Sequence, residues 1–218
     1  MCKGNCGFHY KGALLIAKST VITCMETDMS SLGAQTLYTP EEYIALERKA
    51  TLKSEYLSGE ILAMSGASLS HTRITLDIAT ELNIQLRGQE CEVVTNDMRV
   101  KTSPMVAYFY PDIVVFCGEP EFEDDTFDTL LNPVVIIEVL SPSTEVYDKG
   151  EKFEYYQQIA SLKEYILVSQ DKVHVEHYQF QDMEWKLNTF HTLQDSLTLP
   201  SIGCQLPLRD IYTRVNLD

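Results

Sequence analysis

The segment NPVVIIEVLSPST, residues 132–144, constrains the fold of this chain more than any other. Its apolar run of residues 134–137 is followed by Glu138 and then by two more apolar residues. Such a run, bounded by turn-forming residues, is typical of a buried strand. A lone carboxylate inside it would cost several kcal/mol unless it were paired, protonated or bound to a metal. The fold must therefore supply a partner for Glu138.

The rest of the sequence predicts a mixture of strands and helices. A capping-box pattern begins a helix at Thr39, and residues 58–59, Ser-Gly, predict a tight hairpin between two short alternating runs. Apolar spacing predicts an amphipathic helix within residues 68–88 and a single helix over residues 148–162 after the Glu138 strand. This pattern predicts an α/β or α+β fold with a central mixed sheet.

The length and the hydropathy pattern suit one domain with an extension. Residues 1–36 show no sustained period and are expected to be a disordered extension, or to precede a true start at Met25 or Met29; the folded domain is expected over residues 37–218. No apolar run approaches the roughly 18 residues of a membrane span, and no convincing signal cleavage site follows the N-terminus. We therefore expect a cytoplasmic protein whose six cysteines are free thiols.

The net charge of −15, from 17 basic and 32 acidic residues, argues against broad electrostatic adhesion to nucleic acid. It leaves open a local basic groove, or a metal ion that offsets an acidic pocket. The loop of residues 119–128 carries six of these carboxylates, and we expect it to be solvated. Any interaction with nucleic acid must therefore be local.

Asp112, in the strand YPDIVVF, is a second carboxylate that can join Glu138. Alternate residues of a strand face the same side, so Asp112 shares a face with Val114, and Glu138 shares one with Ile136. If the two strands pair, both carboxylates converge and, with the main-chain carbonyl of Val139, make a magnesium site. Taken singly, Asp112 could instead be a turn residue and Glu138 a member of a buried ion pair.

Several motifs in order resemble one known family. YPDIVVF, PVVIIEVLSPST, DKGEKFEYYQ and EYILVS are similar to the Uma-type restriction-endonuclease-like proteins of the PD-(D/E)xK nuclease superfamily. The resemblance extends from about Tyr38 to LPLRDIY near the C-terminus. It implies a restriction-endonuclease-like core with a mixed sheet and flanking helices, Asp112 and Glu138 binding Mg²⁺ or Mn²⁺, and hydrolysis of phosphodiester bonds in DNA.

The chain departs from the superfamily pattern at Leu140, where a lysine is expected two residues after the glutamate. Lys152 lies on the inward stripe of the next helix and could reach the carboxylates through its long stem. Lys149 falls near the same stripe and is the rival. Solvation of Lys152 beside its acidic neighbours is the alternative.

Three further residues follow less specific patterns. The resemblance makes Glu55 a possible third metal ligand through water, and an exposed strand carboxylate is the alternative. His71 points inward at a helix N-terminus, where it could contact a phosphate, position Glu55 or simply pack. Asp148 is expected in the first turn of the helix that presents Lys152, where the helix dipole favours its charge.

The sequence therefore predicts metal-assisted phosphodiester hydrolysis, with Lys152 orienting water or offsetting charge in the transition state. One alternative is a catalytically degenerate nuclease fold that acts as a binding or regulatory module. Another is a purely structural ion pair between Glu138 and Lys152. A homodimer is expected by analogy with nucleases that cut two strands.

Overall fold

The computed structural model describes residues 36–217, so the expected N-terminal extension lies almost entirely outside the described residues. No helix in that range is long and apolar enough to cross a membrane. The elements in chain order are α1 (Pro40–Glu47), β1 (Ser54–Leu57), β2 (Glu60–Ala63), α2 (Leu69–Gln85), β3 (Cys91–Thr95), β4 (Arg99–Lys101), β5 (Ala107–Phe109), β6 (Ile113–Cys117), β7 (Thr129–Leu130), β8 (Val135–Leu140), α3 (Glu145–Lys149), α4 (Glu151–Tyr156), β9 (Glu164–Ser169), β10 (Val175–Gln181), β11 (Glu184–Phe190), β12 (Ser196–Leu199), β13 (Cys204–Pro207) and α5 (Leu208–Ile211).

Two mixed sheets form the body of the fold. The larger has six strands in the order β11-β10-β9-β8-β6-β3, with β8 and β9 parallel and the other pairs antiparallel. The smaller has five strands in the order β2-β1-β5-β4-β7, and β12 and β13 form a separate hairpin. This architecture confirms the predicted mixed sheet with flanking helices.

Strand β8 lies at the centre of the larger sheet and is buried on both faces. Val135, Ile137 and Val139 pack against the apolar face of α2. Ile136 and Leu140 face the other way, into a core shared by the smaller sheet and α4. Burial on both faces explains the continuous apolar run of β8. Because Glu138 alternates with Ile136 and Leu140 along the strand, its side chain also lies between the two sheets.

Several local predictions hold because the sequence encodes them locally. Thr39 and Glu42 form the capping box of α1, each side chain accepting from the other's main-chain N–H. Ser58 and Gly59 both have positive φ, as a two-residue hairpin turn of this type requires. The amphipathic helix is α2, whose buried residues include Ile74 and Ile78.

The predicted single helix after β8 is wrong. The chain forms two short helices, α3 and α4, that meet at Gly150, whose φ of −106° and ψ of −101° are not helical. A Cβ at Gly150 would lie 3.0 Å from the main-chain oxygen of Val146. The break also places Asp148 in the first turn of α3 rather than on α4, the helix that presents Lys152.

The expectation that all cysteines are free is also wrong. Cys91 and Cys117 form a disulfide, with Cα atoms 3.9 Å apart. They are directly opposite on the neighbouring strands β3 and β6, a pairing that spacing alone does not reveal. Cys204 is buried as a free thiol.

The loop of residues 119–128 is not simply solvated. Arg48 binds Asp124 and Asp128 at 2.8 and 2.9 Å, and Lys101 binds Glu123 at 2.6 Å. These ion pairs attach the acidic loop to α1 and to the smaller sheet.

Candidate active site

Asp112 and Glu138 lie together where β6 meets β8. The antiparallel pairing of these strands ends at Ile113 and Ile137, so the next residue on each side carries a carboxylate. The main-chain N–H of Asp112 donates to Oε2 of Glu138 at 3.4 Å, and the N–H of Val139 donates to Oδ2 of Asp112 at 2.8 Å. Each of the two carboxylates therefore accepts a main-chain hydrogen bond from the strand that carries the other or from its end.

Lys152 enters this acidic cluster from α4. Its Nζ lies 2.8 Å from Oε1 of Glu138, 3.1 Å from Oε1 of Glu55 and 3.6 Å from Oδ1 of Asp148. Only 6% of its side chain is exposed, so the alternative of a solvated Lys152 is wrong. Lys149 points elsewhere, to Glu145 and Glu176.

Glu55 and His71 approach the same cluster from opposite sides. Glu55 is buried in β1 and accepts a hydrogen bond from the main-chain N–H of Tyr110 at 3.2 Å. His71, in the first turn of α2, lies with Nε2 2.8 Å from Oδ1 of Asp112. His71 thus contacts Asp112, whereas sequence reasoning had paired it with Glu55 or a phosphate.

Sequence reasoning missed two members of the cluster. Asp148 is buried beside Lys152, and the hydroxyl of Tyr156 donates to Oε1 of Glu138 at 3.1 Å. The usable signal was spacing, since Asp148, Lys152 and Tyr156 occur at intervals of four residues. Sequence reasoning related Asp148 only to the helix dipole and did not use this spacing.

The cluster carries more negative than positive charge. Burial raises the pKa of Glu138, opposed by Lys152 and reinforced by Asp148 and Asp112. Burial likewise raises the pKa of Asp148. Although burial alone would lower it, the pKa of Lys152 is raised well above its ordinary value by Glu138, Glu55 and Asp148. A charged Lys152 cannot balance all of these carboxylates, so the cluster favours a bound proton or a further cation.

The donor atoms of this cluster fit a hard divalent cation. Within residues 36–217, no three His, Cys, Asp or Glu side chains are arranged to hold a metal ion by themselves. Mg²⁺, however, is commonly bound by one or two carboxylates together with water and substrate oxygens. In a strand the N–H and C=O of one residue point the same way, so the Val139 carbonyl faces the side on which Asp112 lies. Asp112, Glu138 and this carbonyl make a suitable set.

The acids open into a cleft of about 720 Å³. Its walls come from the β1–β2 hairpin, the segment of residues 63–68, the start of α2 and the segment after β8. Glu55, Asp112, Glu138, Asp148 and Lys152 all line it. Every member of the acidic cluster except Tyr156 therefore borders the cleft.

A family model described as "Putative restriction endonuclease", Uma2, matches residues 40–209. The chain belongs to the Uma2 family. Two similar relatives come from Synechocystis sp. (strain ATCC 27184 / PCC 6803 / Kazusa). The uncharacterized protein sll1609 is 38% identical over 160 residues, 73% of this chain and 90% of the relative. The uncharacterized protein slr1290 is 35% identical over 174 residues, 79% of this chain and 90% of the relative.

The fold of this Uma2 chain is similar to a solved structure. A crystal structure of a "putative nuclease" from Anabaena variabilis ATCC 29413 superposes with a TM-score of 0.68. The match covers 81% of this chain and 98% of that one at 19% sequence identity, so it bears on the fold alone. The family resemblance read from the sequence and the predicted fold class are both confirmed.

Proposed function

We propose that this protein is a divalent-metal-dependent endonuclease that hydrolyses phosphodiester bonds in DNA. The observation that carries the proposal is the meeting of Asp112, Glu138 and Lys152 on the floor of one cleft. Membership of a family described as "Putative restriction endonuclease" supports the same reaction. A metal-binding role shared with Asp112 would explain why the apolar strand β8 carries Glu138.

Asp112, Glu138 and the Val139 carbonyl would hold Mg²⁺ or Mn²⁺. When bound, such an ion polarises a phosphate oxygen and lowers the pKa of a coordinated water. Lys152, already 2.8 Å from Glu138, is placed to orient water or to offset charge on the phosphate in the transition state. Lys152 would thus do from α4 what the lysine missing at Leu140 does from the strand in the superfamily pattern.

Glu55 and His71 act through other residues in this scheme. Glu55 contacts the ammonium of Lys152 at 3.1 Å, in addition to the contact from Glu138, and could bind the metal through water. His71 fixes the carboxylate of Asp112, whose other oxygen is held by the Val139 N–H. Two hydrogen bonds therefore set the orientation of Asp112 before any ligand binds.

A second candidate, a binding or regulatory module without turnover, is favoured by one observation. Lys152 already forms short contacts with Glu138 and Glu55, so the cluster holds a cation of its own. The two functions differ in the product: the module binds DNA or metal and leaves the phosphodiester intact. The expected homodimer rests on analogy alone and would be decided by sedimentation velocity.

Cleavage of circular single-stranded DNA, with supercoiled plasmid assayed in parallel, tests the proposal. We expect the wild type to cut with Mg²⁺ or Mn²⁺, to stop with EDTA and to resume when excess metal is returned. Glu138→Ala should be inactive, whereas Asp182→Ala, a change at an 86% exposed carboxylate in the β10–β11 turn, should be unaffected. A wild type that is inert with every metal, or Glu138→Ala with full activity, would contradict the proposal.

A further inference from the structure

The rim of the cleft is mainly apolar and neutral. Leu52, on the turn before β1, is 82% exposed, and Met64, just after β2, is 38% exposed. Residues 65–68, Ser-Gly-Ala-Ser, continue the rim to the start of α2. Exposed apolar side chains around a polar floor mark a ligand site, and Leu52 and Met64 offer apolar contact, without stacking, to the flat face of a nucleotide base.

Cations are scarce around the cleft. Among the described residues that line it, the lysines are Lys53 and the buried Lys152, and no arginine is present. Lys53 is itself engaged, since its Nζ contacts Oδ1 of Asp97 at 2.8 Å and the main-chain oxygen of Asn96 at 2.9 Å. Proteins that track a duplex usually neutralise several phosphates with lysine and arginine. This cleft lacks the charges for that.

The size of the cleft points the same way. A volume of about 720 Å³ lies within the roughly 300–1,000 Å³ range of small-molecule sites. Tyr147 lines the cleft, and its hydroxyl is buried without a hydrogen-bond partner among residues 36–217. A buried hydroxyl without a partner is costly, so this part of the cleft wall has a polar group that is not yet satisfied. The site therefore suits a small ligand with polar and apolar parts.

We propose that the cleft binds one or two unpaired nucleotides, at a strand end or a flap, rather than an intact duplex. A base would pack on Leu52 and Met64 while the phosphate lies beside Asp112 and Glu138. The placement of the phosphate rests on the proposed nuclease function. The placement of the base rests on the apolar rim. It makes the substrate an unpaired DNA segment that the enzyme reaches without wrapping a double helix.

Binding and cleavage of three labelled DNAs test the inference: a single strand, a blunt duplex of the same sequence and that duplex with a short unpaired flap. Anisotropy in Ca²⁺ measures binding, and product formation in Mg²⁺ measures cleavage. We expect the single strand and the flap to bind and to be cut at least tenfold better than the blunt duplex. Because few phosphates are neutralised, the slope of log affinity against log salt should be shallower than about −2.

The rim variants Leu52→Ser and Met64→Ser should each weaken binding of the single strand by at least threefold. Leu76→Ser is the matched control, because Leu76 is 54% exposed on α2 and does not line the cleft. Equal or better use of the blunt duplex, a salt slope of about −5 or steeper, or no binding to any DNA would overturn the inference. Preferential binding of the single strand with no cleavage of any DNA would uphold it and overturn the nuclease function.

Discussion

The ammonium of Lys152 lies 2.8 Å from Oε1 of Glu138, although one residue is on helix α4 and the other on strand β8. This contact answers the problem posed by an apolar strand with a central carboxylate. The single positive charge of Lys152 does not neutralise the site, because Glu55 and Asp148 also contact the same ammonium. A purely structural ion pair between Glu138 and Lys152 would not require the additional acids. The first prediction distinguishes such an ion pair from a functional metal site.

Glu138→Gln should leave the free energy of unfolding in the absence of metal within about 1 kcal/mol of the wild type, or raise it. The change removes one of several carboxylates around a single ammonium and keeps the shape of the side chain. Lys152→Met should instead lower the free energy of unfolding by about 3–5 kcal/mol, because it leaves buried acids without a cation.

Urea unfolding of the two variants measures both changes. A loss in Glu138→Gln as large as that in Lys152→Met would make Glu138 part of a structural ion pair and remove the reason to assign it a functional role.

Asp112→Asn should weaken binding of Mn²⁺ by at least tenfold, because an amide oxygen is a poorer ligand for a hard cation than a carboxylate. Isothermal titration calorimetry on wild type and variant measures the affinity. Asp182→Asn, far from the cleft in the turn after β10, provides a control with the same chemical change. Equal affinities for the wild type and Asp112→Asn would disprove a metal site at this position.

His71→Ala should lower metal affinity or cleavage rate by about tenfold, since groups that orient a metal ligand typically contribute 10–100-fold. The reason is the 2.8 Å contact between Nε2 of His71 and Oδ1 of Asp112. His71→Gln, whose side-chain amide nitrogen reaches about as far as Nε2 and can still donate a hydrogen bond, should recover part of the loss. If alanine changes neither quantity by more than about twofold, His71 is a packing residue.

The acidic loop gives a prediction about pH. Hydrogen bonds from Arg48 and Arg99 hold the pKa of Asp128 well below its ordinary value of 3.8. A carboxyl with a lowered folded-state pKa contributes stability that is present above the unfolded pKa and is lost as the pH falls through the folded value. Asp128→Asn should therefore destabilise the protein at pH 7 and have progressively less effect below about pH 4. A difference from wild type that stays constant between pH 7 and pH 3, measured by urea unfolding, would contradict this.

Much of the fold was readable because it is encoded locally. The capping box at Thr39 and the hairpin at Ser58 each depend on residues within a few positions of one another. The alternation along β8 likewise indicated which side chains share a face with Glu138. Local patterns of this kind predicted the mixed sheet, and strand alternation predicted that Asp112 approaches Glu138.

The rest of the site depends on contacts that spacing does not report. Spacing placed Lys152 on the inward stripe but left Lys149 as its rival, and the structure decides between them because Lys152 contacts Glu138 whereas Lys149 lies beside Glu176. Asp148 is likewise buried beside Lys152 in the structure. These positions are set by the tertiary packing of α3 and α4 on the sheets, so they became visible only in the three-dimensional structure.

The central claim is that Lys152 supplies the lysine that the strand lacks, and single-turnover cleavage of DNA in saturating Mg²⁺ tests it most directly. The account predicts that Lys152→Ala slows cleavage by about 10²–10³-fold, while the matched variant Lys149→Ala stays within about threefold of the wild type because Lys149 does not line the cleft and pairs with Glu145 and Glu176 instead. Circular dichroism would establish that both variants are folded at the assay temperature. Folded Lys152→Ala that cuts at the wild-type rate would contradict the account.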